Sequence, residues 1–177
     1  METTQNANDN QYLTFEMAGE NYAIPIAHIR EVLLVPNVTR IPRMPDFMRG
    51  VINLRGAVVP VLDLKLKFGM GDTEITSATS IIVIEIPSPG SETGDLLRLG
   101  VFADAVKKVI TIMPENVEEP PNVGMRIKTT FIIGMGRVDD NFIVILNIRD
   151  ILRDEDLASI EETTEGAAES GDDEAAD

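Results

Sequence analysis

The sequence predicts an all-β protein of two small barrels packed into one body, with a C-terminal helix, and three observations carry that prediction. Short runs rich in Val, Ile and aromatic residues recur along the chain, parted by Gly, Asn, Asp and Pro. That is the pattern of many short strands joined by tight turns. The chain has 177 residues, 44% of them apolar, enough for a core in one compact domain or two small ones. Finally, the chain repeats itself. Residues 22–33 align with 99–110 at an offset of 77, matching Ile24 with Val101, Ile29 with Val106, Val32 with Val109 and Leu33 with Ile110. Residues 50–64 align with 134–148 at an offset of 84, matching Gly50 with Gly134, Leu54 with Val138, Leu62 with Leu146 and Asp63 with Asn147. Each half therefore holds a hairpin, a joining segment and a second hairpin, which suggests two barrels side by side with a groove between them.

Taken in order, residues 1–10 are polar and aperiodic and read as a disordered N-terminal tail. Residues 12–17 and 22–26 read as strands around a turn at Ala18-Gly19-Glu20-Asn21. The stretch 27–34 fits a helical turn or a strand. Prolines at 36, 42 and 45 make the next segment extended, with one helical turn over 45–48. The central stretch is GVINLRGAVVPVLDLKLKFG, residues 50–69. Arg55-Gly56 separates two β-branched runs, and Gly56 supplies the positive φ of a hairpin turn that holds Arg55 at its tip. Pro60 donates no ladder hydrogen bond, which predicts an edge strand or a bulge. Asp63 reads as the N-cap of a short helix over 64–68 that stops at Gly69.

Beyond it come a polar loop over 70–78, a strong strand over 79–86 and a turn-rich connection, PSPGSETG, at 87–94. Strands are expected over 97–106 and 109–112, then an irregular stretch over 114–124. Residues 131–138 and 142–146 make a last hairpin around Asp139-Asp140-Asn141, and a helix is expected from 148 to about 163.

Composition narrows the function. No cysteine is present, which excludes disulfides, thiolate metal sites and cysteine nucleophiles. His28 is the only histidine, so two-histidine metal motifs are impossible and a Ser-His-Asp site would have to use this one residue. The glycine pairs in GMGDTE (69–74) and GMGR (134–137) lack the lysine and the strand-to-helix setting of a phosphate-binding loop. Asp63 lacks the parallel α/β surroundings of a phospho-accepting aspartate. The formal net charge is −15, but residues 154–177 hold eleven acidic side chains and no Lys or Arg, leaving nineteen acids against fifteen bases in residues 1–153, a net of −4. The nearly balanced body argues against nucleic acid as a partner, and residues 161–177 read as a disordered, solvated acidic tail. The N-terminal residues carry no basic patch followed by an apolar core, so no signal peptide is expected, and no apolar run approaches the ~20 residues of a membrane span. The chain is expected in the cytoplasm with no direct membrane insertion.

The run G-V-I-N-L-R-G-A-V-V-P-V-L-D-L at 50–64 resembles the signature of the CheW family, the coupling proteins of bacterial chemotaxis. The surroundings agree: Y-A-I-P-I at 22–26 with I-R-E-V at 29–32, G-V-F-A-D-A-V-K-K-V at 100–109 and F-I-V-I-L-N-I at 142–148. The resemblance covers residues 11–160. It implies two SH3-like five-stranded barrels without catalytic activity or cofactor. It also implies a scaffold role, coupling the cytoplasmic tips of chemoreceptors to the regulatory domain of the histidine kinase CheA in arrays at the inner face of the membrane. By motif it points to Arg55 and Glu31 as receptor-binding residues, with Ile29, Gly50, Gly100 and Val109 on the same surface. A helical receptor tip calls for helix-in-groove recognition, with apolar anchors from Ile29 and Val109 and charged rim contacts from Arg55 and Glu31. The chain departs from the family at Glu118-Glu119, which are more acidic than its pattern. Read from residues alone, Arg55 and Glu31 are also compatible with solvated surface positions, and Ile29 and Val109 with plain core. Two other functions stay open: a β-barrel binding a small ligand or an oligonucleotide, and a coupling protein of a non-chemotactic receptor-kinase array.

Overall fold

The computed structural model describes residues 9–88, 92–121 and 127–153. Eleven strands are present among them: β1 (Gln11–Met17), β2 (Glu20–Pro25), β3 (Ile29–Leu34), β4 (Met48–Leu54), β5 (Ala57–Leu62), β6 (Ser80–Pro87), β7 (Leu96–Ala103), β8 (Ala105–Thr111), β9 (Val117–Glu118), β10 (Ile132–Val138) and β11 (Asn141–Leu146). Two short helices, α1 (Leu64–Lys67) and α2 (Ile148–Arg153), each follow the second hairpin of a half. The strands form two sheets in the orders β8-β1-β2-β11-β10-β9 and β3-β6-β7-β5-β4. One sheet has the expected five strands. The other has six, because two-residue β9 adds to its end.

The halves recognised as repeats do not each build one sheet. β1 and β2 of the first half join β8 to β11 of the second, while β6 and β7 of the second join β3 to β5 of the first. The exchange keeps the repeat's symmetry down to the register. Parallel β2 and β11 meet at Ala23 and Ile145, and parallel β5 and β7 meet at the equivalent Val61 and Gly100. The same β-bulge interrupts both second hairpins, between Met48 and Gly50 and between Ile132 and Gly134.

Burial explains why these strands read as unbroken apolar runs. In β6, Ile82, Ile84 and Ile86 enter a large cluster between the sheets, while the alternate residues Ile81 and Val83 enter a second cluster inside their own sheet. In β11, Val144 and Leu146 face the first cluster, and Ile143 and Ile145 face a third, inside the other sheet. A period-two strand buried on both faces has no polar side to show. The space between the sheets is thus filled by core, and an open groove lies elsewhere, along the 35–49 segment.

Other details differ from expectation. β5 is an interior strand, flanked by β4 and β7. Pro60 is tolerated there because it pairs with Val51 of β4, and the ladder to β7 begins only at Val61. Residues 45–48 form a turn closed by Met48 N–H on the Pro45 carbonyl at 2.9 Å, not a helix. The stretch 27–34 is both alternatives in succession, a 3-10 turn over Ile26–His28 and then β3. The strand expected over 97–106 breaks at Asp104, where the chain passes from one sheet to the other. Asp104 N–H donates to the Glu16 carbonyl, and its carboxylate accepts from Ala18 N–H and Lys65 Nζ. The expected C-terminal helix is described as far as Arg153. The terminal tails expected over 1–10 and 161–177 lie almost wholly outside the described residues.

Candidate functional site

The β4–β5 hairpin turns on Arg55 (φ 51°) and Gly56 (φ 87°), both at positive φ as a type I′ turn requires. Asn53 Oδ1 accepts from Gly56 N–H at 2.9 Å and fixes the corner. Arg55 projects from it and grips Glu31 of β3 with both forks of its guanidinium, Nη1 to Oε1 at 2.7 Å and Nη2 to Oε2 at 3.0 Å. The fork matches a carboxylate geometrically, so the contact sets orientation as well as charge. β3 and β4 are the opposite ends of the sheet order. An ion pair between β3 and the tip of β4–β5 therefore shows the sheet curled round, with Arg55–Glu31 across its seam. The Thr39–Val51 bridge helps close the same seam.

Glu31 is only 21% exposed at its side chain and Arg55 is 71% exposed. The hydrogen bond from Arg55, then its charge and those of Arg30 and Arg98, hold the Glu31 carboxyl below the usual carboxylate range. Arg30 and Glu31 are neighbours that an unbroken strand would aim at opposite faces. The bulge in the β3–β6 pairing between Ile29 and Glu31 relieves that: Arg30 reaches Glu85 of β6 at 3.1 Å, and Arg98 of β7 reaches the same oxygen at 3.1 Å. Three arginines and two glutamates are thus paired across β3, β6, β7 and the β4–β5 corner. Glu85 and Arg98 were not singled out from the sequence. The available signal was a lone charge inside the apolar run of 81–86.

The remaining sequence-predicted residues are not part of these ion pairs. Gly50 is buried in β4 at φ 147°, and a Cβ there would run into the Thr39 carbonyl oxygen. Gly100 is buried in β7, where a Cβ would stand 2.7 Å from Ile81 Cγ2. Both shape the barrel from within rather than offering a surface to touch. Ile29 is half-buried against the core between the sheets. Val109 is 46% exposed on β8, an end strand of the other sheet. Val32 and Leu34 of β3 and Val58 of β5 are exposed apolar residues that the sequence did not distinguish from core. The repeat makes the site one-sided. The equivalents of Glu31 and Arg55 are Lys108 and Asp139, and no ion pair joins those two among the described residues.

Asp63, expected as a helix cap, does more than cap α1. It is fully buried and accepts from Lys65 N–H at 3.1 Å, Thr73 N–H at 2.7 Å, Thr73 Oγ1 at 2.8 Å and Arg49 Nη1 at 3.1 Å. Its carboxylate ties the 70–78 loop to β4.

Residues 11–156 match the family model of the CheW-like domain. The chain is 28% identical over 151 residues to the chemotaxis protein CheW of Klebsiella aerogenes, covering 85% of this chain and 86% of that one. It is 30% identical to the chemotaxis protein CheW of Helicobacter pylori over 81% of each chain. The fold superposes with a TM-score of 0.70 on the crystal structure of the scaffolding protein TtCheW from Thermoanaerobacter tengcongensis, at 34% identity, covering 84% of this chain and 90% of that one.

Proposed function

The chain belongs to the CheW-like domain family, and from that premise we propose that it is a non-enzymatic scaffold coupling the cytoplasmic tips of chemoreceptors to the regulatory domain of the histidine kinase CheA. The observation that carries the reading is the Arg55–Glu31 pair. A rigid I′ corner and a bulged strand set a bidentate ion pair across the seam of this barrel, and β3 and β5 also carry the exposed apolar residues Val32, Leu34 and Val58. Such a surface suits a helical partner, which supplies apolar side chains for the anchors and polar ones for the rim. Val109 and Ile29 are further partly exposed apolar side chains, and Gly50 and Gly100 keep the strands of the ion-pair barrel close together.

The test is co-sedimentation of the protein with a receptor cytoplasmic fragment and CheA. Arg55→Ala is expected to lose ternary assembly at an unchanged thermal midpoint, because the side chain is solvent-exposed. The double exchange Arg55→Glu with Glu31→Arg restores the ion pair in reverse. Assembly recovered by the exchange assigns the role to the pair as a unit, and assembly still absent assigns it to the cation at the corner. Full assembly by Arg55→Ala would overturn the proposal.

A further inference from the structure

Glu31 has two arginines for neighbours and pairs with one of them. Arg30 stands next to it in the chain, and the Arg30 charge already acts on the Glu31 carboxyl. Its guanidinium is held elsewhere: Arg30 Nη1 donates to Glu85 Oε2 of β6 at 3.1 Å. Arg98, the cross-strand partner of Glu85 on β7, donates to the same oxygen from Nη2 at 3.1 Å and from Nε at 3.4 Å. Glu85 lies between Ile84 and Ile86, both sealed in the core, so the strand fixes where its carboxylate stands. Its side chain is 23% exposed, and a partly shielded network of this kind is screened by salt less than an isolated surface pair.

The repeat supplies an internal comparison. Through the offset of 77, Arg30 corresponds to Lys107, Glu31 to Lys108 and Arg98 to Asn21. Glu85 corresponds to Glu16, since Glu85 pairs with Arg98 in β6–β7 and Glu16 with Asn21 in β1–β2. The Arg30–Glu85 contact thus recurs as Lys107–Glu16, at 3.4 Å. Asn21 brings no second cation to it. Arg98 reinforces the contact only in the half where the next residue along the strand, Glu31, is a carboxylate that the held cation could otherwise take.

We infer that Glu85 is a positioning residue: by holding Arg30, with Arg98 fastening the same carboxylate, it reserves Glu31 for Arg55 and so sets the cation at the β4–β5 corner. With Glu85 uncharged, Arg30 turns to Glu31, whose lone pairs are then divided between two guanidinium groups, and the fork on Arg55 loosens. The bearing of this on assembly rests on the coupling role proposed above for the pair. The reservation of Glu31 is a property of the free protein.

A bidentate carboxylate slows rotation of a guanidinium about its Nε–Cζ bond, which nitrogen exchange spectroscopy of arginine side chains reads in the full-length protein. Glu85→Gln keeps the size of the side chain and removes its charge. Arg55 is expected to rotate roughly tenfold faster in it, as for the loss of about one charge-assisted hydrogen bond, and to return to the slow rate in Glu85→Gln/Arg30→Gln. Glu16→Gln, which removes the equivalent charge from the other half, is expected to leave Arg55 unchanged. Rotation unaffected by Glu85→Gln would overturn the inference. So would acceleration that Arg30→Gln does not reverse, or equal acceleration in Glu16→Gln, because Arg55 would then be responding to a general loosening of the strands. Co-sedimentation with the receptor fragment and CheA follows the same series, with assembly expected to fall in Glu85→Gln and recover in the double variant. Full assembly while Arg55 rotates freely would count against the coupling role of the pair and leave Glu85 its place, since the rotation rate alone decides that.

Discussion

Arg55 and Asp63 are both charged residues of the 50–69 stretch, and their surroundings give them opposite tasks. Arg55 is anchored only by backbone geometry and Glu31, so it is free to report on a partner. Asp63 is sealed, and its four donors satisfy a carboxylate that would otherwise be costly to bury. Asp63→Ala leaves Arg49 and both Thr73 donors without their acceptor and is expected to cost about 3–5 kcal/mol, the range for breaking a buried pair, read as a lower urea midpoint. The cap was legible in the sequence because a cap is local: an Asp before a short helical run and a Gly after it. Thr73 and Arg49 were not legible as its partners, because they reach Asp63 through loop closure and strand pairing. For the same reason the Glu31–Arg55 contact, 24 residues apart in the chain, is absent from any local pattern.

At the scale of elements, the turns followed their chemistry and the strand edges did not. All three tight hairpins place two residues at positive φ, Ala18-Gly19, Arg55-Gly56 and Asp139-Asp140, and each was foreseen within a residue. Gly50 is a stricter case than these turns, since its φ and the Thr39 carbonyl both oppose a side chain. Gly50→Ala is expected to destabilise by roughly 1–3 kcal/mol, visible as a lower thermal midpoint, and to open the Thr39–Val51 bridge, visible as faster amide exchange of Val51. Pro60 misled because a missing donor shows that one hydrogen bond is absent, not that the whole strand lies at an edge. His28 ends the 3-10 turn through which the chain crosses between sheets. Burial, with Arg149 of α2 adding to it, lowers its pKa below the ordinary 6.5. The unfolded chain therefore takes up its proton first. Stability is expected to be level above that value and to fall as pH drops through the window beneath it. In His28→Gln that part of the pH dependence should disappear, as measured by urea unfolding at a series of pH values.

For the molecule as a whole, the exchange of hairpins between the halves makes the two sheets one cooperative unit. Each sheet takes strands from both halves, and the largest core lies between them. Urea unfolding is expected to give a single transition that coincides by far-ultraviolet circular dichroism and by tyrosine fluorescence. Tyr22 lies in the core between the sheets and Tyr12 packs against the separate core of its own sheet, so uncoupled barrels would split the transition between probes. By itself the sequence determined the β class, the repeat, the turns, the helix cap and the family signature. All of these rest on spacing and on local conformational preference, which a chain carries whether or not it is folded. Only the tertiary structure decided that the halves trade hairpins, that Pro60 sits in an interior strand, that Glu31 receives Arg55 and that Glu85 receives Arg30 and Arg98. Those outcomes depend on which strands become neighbours, and one residue pattern permits several pairings until packing and hydrogen bonding across the chain select one.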